Sequence, residues 1–325
     1  MRSGNNGGTG ANARTAHRWN TLREMALLAE EIGVDTLGVP DHLLFRHAPP
    51  VVSLPAGDTR GVWECFTLLT AFAAITRRVT LLPLVACTSF RNPALLAKIA
   101  DSLDEVSGGR VLLGLGAGWH EPEYAAYSYP FDHRVSRFEE ALQIIVPMLK
   151  GESVTLRGEY YEVTDALLSP RGPRPGGPPI WIGARMPRML GLVARYADAY
   201  HTDMLLNVDD THGTEELLGI AADACQKLGR DPATLQKTSG SSLGLEGFED
   251  VPGGPPSVIM HGSNAEIVAR LEVLAKLSID HFTFWLHPWT LQSIERLAPI
   301  VEAAHGLQSP ESHVSRARPE HSPAG

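Results

Sequence analysis

Three cysteines in 325 residues, Cys65, Cys87 and Cys225, are too few, odd in number and too widely spaced for a disulfide framework, and no CxxC pair marks a metal or redox centre. A reducing cytoplasm is the compartment this fits. Basic residues are also short: 28 Lys and Arg against 37 Asp and Glu leave a net charge of -9, and no local basic cluster offsets it. Phosphate backbones and anionic lipid surfaces would be repelled, so neither nucleic acid nor membrane is an expected partner. No apolar run is long enough to span a bilayer. Residues 1–14 are rich in Gly and Asn and lack the apolar core of a signal peptide.

Apolar residues at 43% supply a large core, while 31 glycines and 24 prolines imply many connections between elements. Leu22, Met25, Ala26, Ala29 and Ile32 recur at helical spacing, with Gly33 placed to end that helix before a short strand over 35–39. The unit then repeats. A helix over about 63–75 precedes the apolar strand 79–85; Asn92-Pro93 caps a helix that Gly108 stops before the strand 111–115. Ser136 and Glu139 have capping-box spacing at the head of a helix reaching Leu149, 154–163 reads as a hairpin, and 170–179 as a Pro/Gly-rich connection. Later strands are expected over 180–182, 199–201, 239–245 and 282–286, with helices near Arg188, Thr214 and Ala265.

Alternating helices and apolar strands demand a parallel sheet covered by helices. A barrel spreads its functional residues over many strand ends, whereas a doubly wound sheet gathers them at one switch point. Here Asp41-His42, Cys87-Thr88, Gly116-Ala-Gly-Trp119, Gly183-Ala184 and His201-Thr202 each follow a different strand, which selects the α/β barrel. The expected layout is a flexible segment 1–17, a barrel domain 18–305 interrupted by an insertion at 151–178, and a disordered tail 306–325.

Three motif matches point elsewhere. Gly8-Thr-Gly10-Ala-Asn-Ala13 fits a dinucleotide pattern but has no strand before it, and Gly114-Leu-Gly116-Ala-Gly118-Trp119 has Trp where the last glycine belongs. Gly240-Ser-Ser242-Leu-Gly244 fits a hydrolase elbow, with Asp250 and His261 following, so a serine hydrolase using Ser242 is the rival enzyme. Its glycine- and proline-bearing continuation forbids the helix an elbow needs. Among the barrel candidates, Asp41-His42 sets a carboxylate beside an imidazole that can move protons at neutral pH. Gly116 and Gly118 clear side chains from a strand end beside Trp119. Ile182-Gly183-Ala184-Arg185-Met186-Pro187 combines a strand end, a cation and a helix start suited to an anion.

These segments carry a resemblance. Val39-Pro-Asp-His42, Phe90-Arg-Asn-Pro93-Ala-Leu-Leu-Ala-Lys98, Leu103 with Ser107-Gly-Gly-Arg110, Gly114-Leu-Gly-Ala-Gly-Trp-His120 with Glu123-Tyr124, Arg137-Phe-Glu-Glu140, and Pro179-Ile-Trp-Ile-Gly183 with Ala197-Asp198 resemble the luciferase-like monooxygenase superfamily, especially its F420-dependent oxidoreductases. The resemblance runs from Arg18 to about Ala303. It implies a (β/α)8 TIM barrel holding coenzyme F420 or FMN at its C-terminal mouth, hydride transfer to or from a small organic substrate, and, with FMN, O2-dependent monooxygenation. It leaves room for a non-catalytic cofactor carrier and for a homodimer; no metal is expected, because no metal-ligand spacing appears and His120-Glu-Pro-Glu123 is not HExxH.

By the same resemblance Asp41 and His42 lie by the cofactor ring as catalytic residues. Val85, Ala86 and Cys87, followed by Thr88, form a bulge with a non-prolyl cis peptide behind the ring. Gly116, Gly118 and Trp119 line the ring or tail, Gly183, Ala184 and Arg185 take the phosphate, and His201 completes the set. One departure is expected: Met1-Arg-Ser-Gly4 enters the first Gly/Asn loop directly, so the first barrel strand reads as missing or truncated, leaving its two neighbours short of a partner.

Overall fold

The computed structural model describes residues 16–48, 52, 54, 57–204, 210–245 and 259–307. Seven parallel strands follow one another round the barrel: β1 (Thr36–Val39), β2 (Thr80–Pro83), β3 (Leu113–Gly116), β4 (Ile180–Gly183), β5 (Ala199–Met204), β6 (Gln236–Leu245) and β7 (Ile279–His287). They coincide with the seven strand candidates. Each is joined to the next in chain order; Thr36 faces Thr80, Leu113 faces Ile180, Trp181 faces Ala199, and Thr238 faces both His201 and His281. Only β2 and β3 are linked by an isolated bridge, Leu81 to Val111, rather than a ladder.

Among the described residues no ladder joins β7 to β1. The first strand, expected to be missing or truncated, concerns residues upstream of 16, which lie outside the described residues, as do the Gly8–Ala13 match and the tail 308–325. An additional short strand, Ile259–Gly262, lies parallel to the end of β6, pairing Ser242 with Ile259.

Alternation along the strands divides their side chains. Leu81, Leu113, Leu115, Ile180 and Ile182 join the main core with the helices, while Leu82, Trp181 and Ala199, with Leu84 and Leu112, form a separate apolar cluster on the opposite, inner face. Gly114 belongs to that inner face because a Cβ there would overlap the carbonyl oxygen of Pro83.

The helices are set by local chemistry. Trp19–Glu31 (α1) ends before Gly33, whose φ of +99° breaks the helical path. Cys65–Ile75 (α2) is capped by the Glu64 carboxylate, which accepts from the Thr67 amide. Pro93–Ser107 (α3) is capped by Asn92 and closed by left-handed Gly108, as expected. Glu121–Ala126 (α4) is a short helix after β3.

The capping box expected at Ser136 and Glu139 does not form, because Arg134–Leu149 (α5) starts earlier, at His133. Both side chains instead accept from Arg188, at 3.1 and 2.9 Å. Arg188 lies in Pro187–Tyr196 (α6), whose N-cap Met186 offers no side-chain acceptor. The remaining long helices are His212–Lys227 (α7) and Asn264–Lys276 (α8). A reciprocal capping box stands at the head of α8, between Ser263 and Glu266.

The excursion between α5 and β4 carries the expected hairpin, Val154–Arg157 with Glu162–Ala166. Its irregular return is tied to helices. Gly172 N–H donates to Asp101, Arg174 to Asp104, Lys98 to the carbonyls of Ser169 and Pro170, and Arg171 to the Leu149 carbonyl. Among the described residues no helix is long and apolar enough to cross a membrane.

Candidate active site

Pro40 ends β1, and the two residues after it take different partners. The buried Asp41 carboxylate accepts from both Arg91 terminal nitrogens, at 2.7 and 2.9 Å, and from the Cys87 amide at 2.9 Å. Arg91 also reaches Glu64 at 2.6 Å and lies 4.8 Å from the centroid of the Phe66 ring. Burial opposes its charge, but the Asp41 and Glu64 carboxylates prevail and hold the guanidinium pKa above its ordinary value. Asp41 thereby ties the end of β1 to the segment following β2.

His42 turns the other way. Its Nδ1 lies 2.8 Å from Glu123 Oε1, while the Leu43 amide donates to Glu123 Oε2 at 2.8 Å. A carboxylate accepts both bonds, so the shared proton sits on Nδ1 and Nε2 is the nitrogen left for chemistry. Three rings surround the imidazole: Phe45 at 4.3 Å, Trp119 at 5.3 Å and His120 at 6.4 Å between centroids. Phe45 belongs to a hairpin over the mouth, Leu44–Arg46 with Thr59–Gly61. His120 Nε2 accepts from the Arg46 amide at 3.1 Å, which puts its proton on a buried Nδ1 without a partner. Burial pushes its pKa down, so His120 is a neutral imidazole.

The peptide between Leu84 and Val85 is cis, one position ahead of the expected trio. Ala86 and Cys87 then pair with Leu115 and Gly116. The Cys87 thiol lies 2.9 Å from the Tyr124 hydroxyl, which itself donates to the Ala117 carbonyl at 3.0 Å, so sulfur is the donor. Burial pushes the Cys87 pKa up to about 12, making it a packed thiol and no nucleophile. Thr88 is buried, with its hydroxyl 3.5 Å from the Gly116 carbonyl. The room left at Gly116 is filled by the Val85 side chain, and that at Gly118, φ +77°, by the Tyr124 hydroxyl and Cys87 sulfur.

Across the mouth, β4 ends at Gly183. The Ala184 amide is committed to the His201 carbonyl at 3.2 Å, and Arg185 leads into α6, whose N-cap Met186 makes no side-chain cap bond. His201 faces inward from β5. Its Nδ1 lies 2.8 Å from the Thr238 hydroxyl, which donates to the Tyr200 carbonyl, so His201 is the donor of that pair. Its ring stacks on Trp181 at 6.3 Å, and His281 meets the same indole edge-on at 4.8 Å.

Burial, reinforced by His281 and Arg185, pushes the His201 pKa down to about 3; burial also lowers that of His281. The stability from keeping these imidazoles neutral is complete above the unfolded value of 6.5. It is lost as pH falls from there toward 3, because the unfolded chain binds the proton first. At pH 5, 1.5 units under the unfolded value, His201 alone costs about 2 kcal/mol. The thermal midpoint is expected to drop between pH 7 and pH 5, and His201→Asn to flatten that slope. A midpoint unchanged across this window in the unsubstituted protein would show that His201 is not buried neutral.

The hydrolase-like Gly240–Gly244 match lies wholly inside the continuous strand β6, so no strand-to-helix elbow presents Ser242. Asp250 lies outside the described residues. The sequence alone gives no role to Arg91 or Glu123, although both fall in segments that carry the resemblance.

The luciferase-like monooxygenase family model matches residues 2–242. A 5,10-methylenetetrahydromethanopterin reductase from Archaeoglobus fulgidus is 28% identical over 265 residues, covering 77% of this chain and 72% of the relative. An F420-dependent glucose-6-phosphate dehydrogenase from Microbacterium testaceum is 34% identical over 219 residues, covering 65% of this chain and 60% of the relative. Among solved structures, the F420-dependent tetrahydromethanopterin reductase of Methanopyrus kandleri superposes with a TM-score of 0.70 at 17% identity, over 88% of this chain and 96% of that one. A monooxygenase from Streptomyces bottropensis gives 0.71 at 19% identity, over 88% and 93%. The chain belongs to the luciferase-like monooxygenase family.

Proposed function

We propose that this protein is an oxidoreductase that binds F420 or FMN at the C-terminal mouth of its barrel and transfers hydride between the reduced cofactor and a small organic substrate. The observation that carries the reading is His42, held through Nδ1 by Glu123 at a strand end beside the 84–88 bulge. The residues present fit such a cofactor. The bulge offers backbone at the end of β2 to one face of a flat ring, and Arg185 with the uncapped start of α6 suits a phosphorylated tail.

When bound, the cofactor supplies the hydride, or with FMN the reaction with O2. The chain's own work is positional. Asp41 and Arg91 fix the bulge against β1, Glu123 fixes the imidazole, and His42 Nε2 exchanges the proton that accompanies hydride transfer. A relative named as an F420-dependent dehydrogenase, a neighbour named as an F420-dependent reductase and neighbours named as monooxygenases all support this class. Titrating the purified protein with F420 and with FMN, followed by cofactor fluorescence, tests it. Binding of one of them in the micromolar range or tighter is expected, and failure to bind either overturns the reading.

A further inference from the structure

Resting on that reading, we propose that Trp119, Phe45 and His42 form a substrate subsite for the uncharged face of an aromatic or alicyclic ring, so that Trp119 serves the substrate rather than the cofactor. Gly118 is pinned against the bulge: a Cβ there would overlap the Tyr124 hydroxyl and the Cys87 sulfur. The next residue leaves the bulge and lays its indole against His42 and Phe45, the latter at 6.3 Å between centroids. This is the side of the imidazole covered by the 44–46 hairpin, while the bulge is held through Asp41.

Trp119 is 44% exposed, a large apolar surface left open beside His42, whose side chain is 14% exposed. His120, 5.1 Å from the indole, backs the wall with a neutral ring whose own acceptor is occupied by the Arg46 amide. The Glu123 carboxylate held against His42 disfavours a phosphate or carboxylate at the imidazole. An indole edge and a phenyl ring flanking a proton-bearing imidazole select a flat, neutral, apolar group.

The test measures acetophenone binding to the full chain by isothermal titration, with cofactor absent and then with saturating F420 or FMN, and uses glucose 6-phosphate as the charged competitor. Acetophenone is expected to bind more tightly than glucose 6-phosphate by at least about tenfold. Trp119→Ala is expected to weaken it about tenfold, and Trp119→Phe to restore it to within about threefold, with cofactor affinity changed less than threefold in both. Phe45→Ala provides a second variant should Trp119→Ala fold poorly, and about a fivefold loss is expected. The proposal is overturned if truncating either ring leaves acetophenone binding unchanged, if glucose 6-phosphate binds more tightly, or if Trp119→Ala weakens the cofactor instead. Failure of the oxidoreductase reading shows separately, as absence of cofactor binding in the unsubstituted protein, and the cofactor-free titration still decides the subsite.

Discussion

Arg91→Met is expected to destabilise the protein by about 3–5 kcal/mol, the range for removing one partner of a buried ion pair. Asp41 is buried, and its two oxygens face the two Arg91 nitrogens; without them a single amide, that of Cys87, is left to solvate the carboxylate. Glu64 loses a partner too, but its side chain is 43% exposed and water replaces the contact at little cost. With an unfolding entropy of roughly 2.1 cal/mol/K per residue, the midpoint of this 325-residue chain should fall by about 4–7 °C. Asp41→Asn in the same chain should recover part of the loss, because it removes the stranded charge. Additive losses in the double variant would show that the pair is not coupled.

His42→Ala is expected to lower turnover on the order of a hundredfold while cofactor affinity stays within about tenfold, as loss of a positioned proton-transfer group does. The informative companion is Glu123→Gln. Both carboxylate oxygens face donors, the His42 Nδ1–H and the Leu43 amide, and a glutamine has only one acceptor to give. The Leu43 N–H cannot change its role, so the amide oxygen must turn to it and the NH2 group to His42. That forces the imidazole into its other tautomer, with the proton on Nε2. Turnover should therefore fall by roughly ten- to a hundredfold with little change in the thermal midpoint, and 15N chemical shifts of His42 should report the exchanged tautomer. Unchanged turnover in His42→Ala would reduce the residue to a structural part.

The strand ends were legible in the sequence because β-type apolar runs stop at local signals. Pro40 after Val39, Gly183 after Ile182 and the Gly116–Gly118 run announce where the mouth must be. What holds the functional side chains there was not. Glu123 meets His42 across 81 residues and Arg91 meets Asp41 across 50, and no periodicity or cap pattern encodes such a pairing. One physical cue is present: an Asp at the end of a strand covered by helices needs a cation, and Arg91 is a charged residue directly before the Asn92 cap of α3. The room at Gly116 was harder to foresee, since it is filled by Val85, whose position depends on the path of the chain through residues 84–87.

The excursion between α5 and β4 is held to the helical shell by Lys98, Asp101 and Asp104 on α3, by Arg171 reaching the last carbonyl of α5, by Glu140 on α5 accepting from the amides of Glu159, Tyr160 and Tyr161, and by Val154 and Leu168 packed into the main core. None of these hydrogen bonds belongs to the ladder between Leu113 and Ile180. The hairpin and its return are therefore fastened to the helical shell, with the tip itself held by Glu140, and a change in their length need not alter the register of the strands. Diversification of the outer surface is thereby uncoupled from the geometry of the mouth.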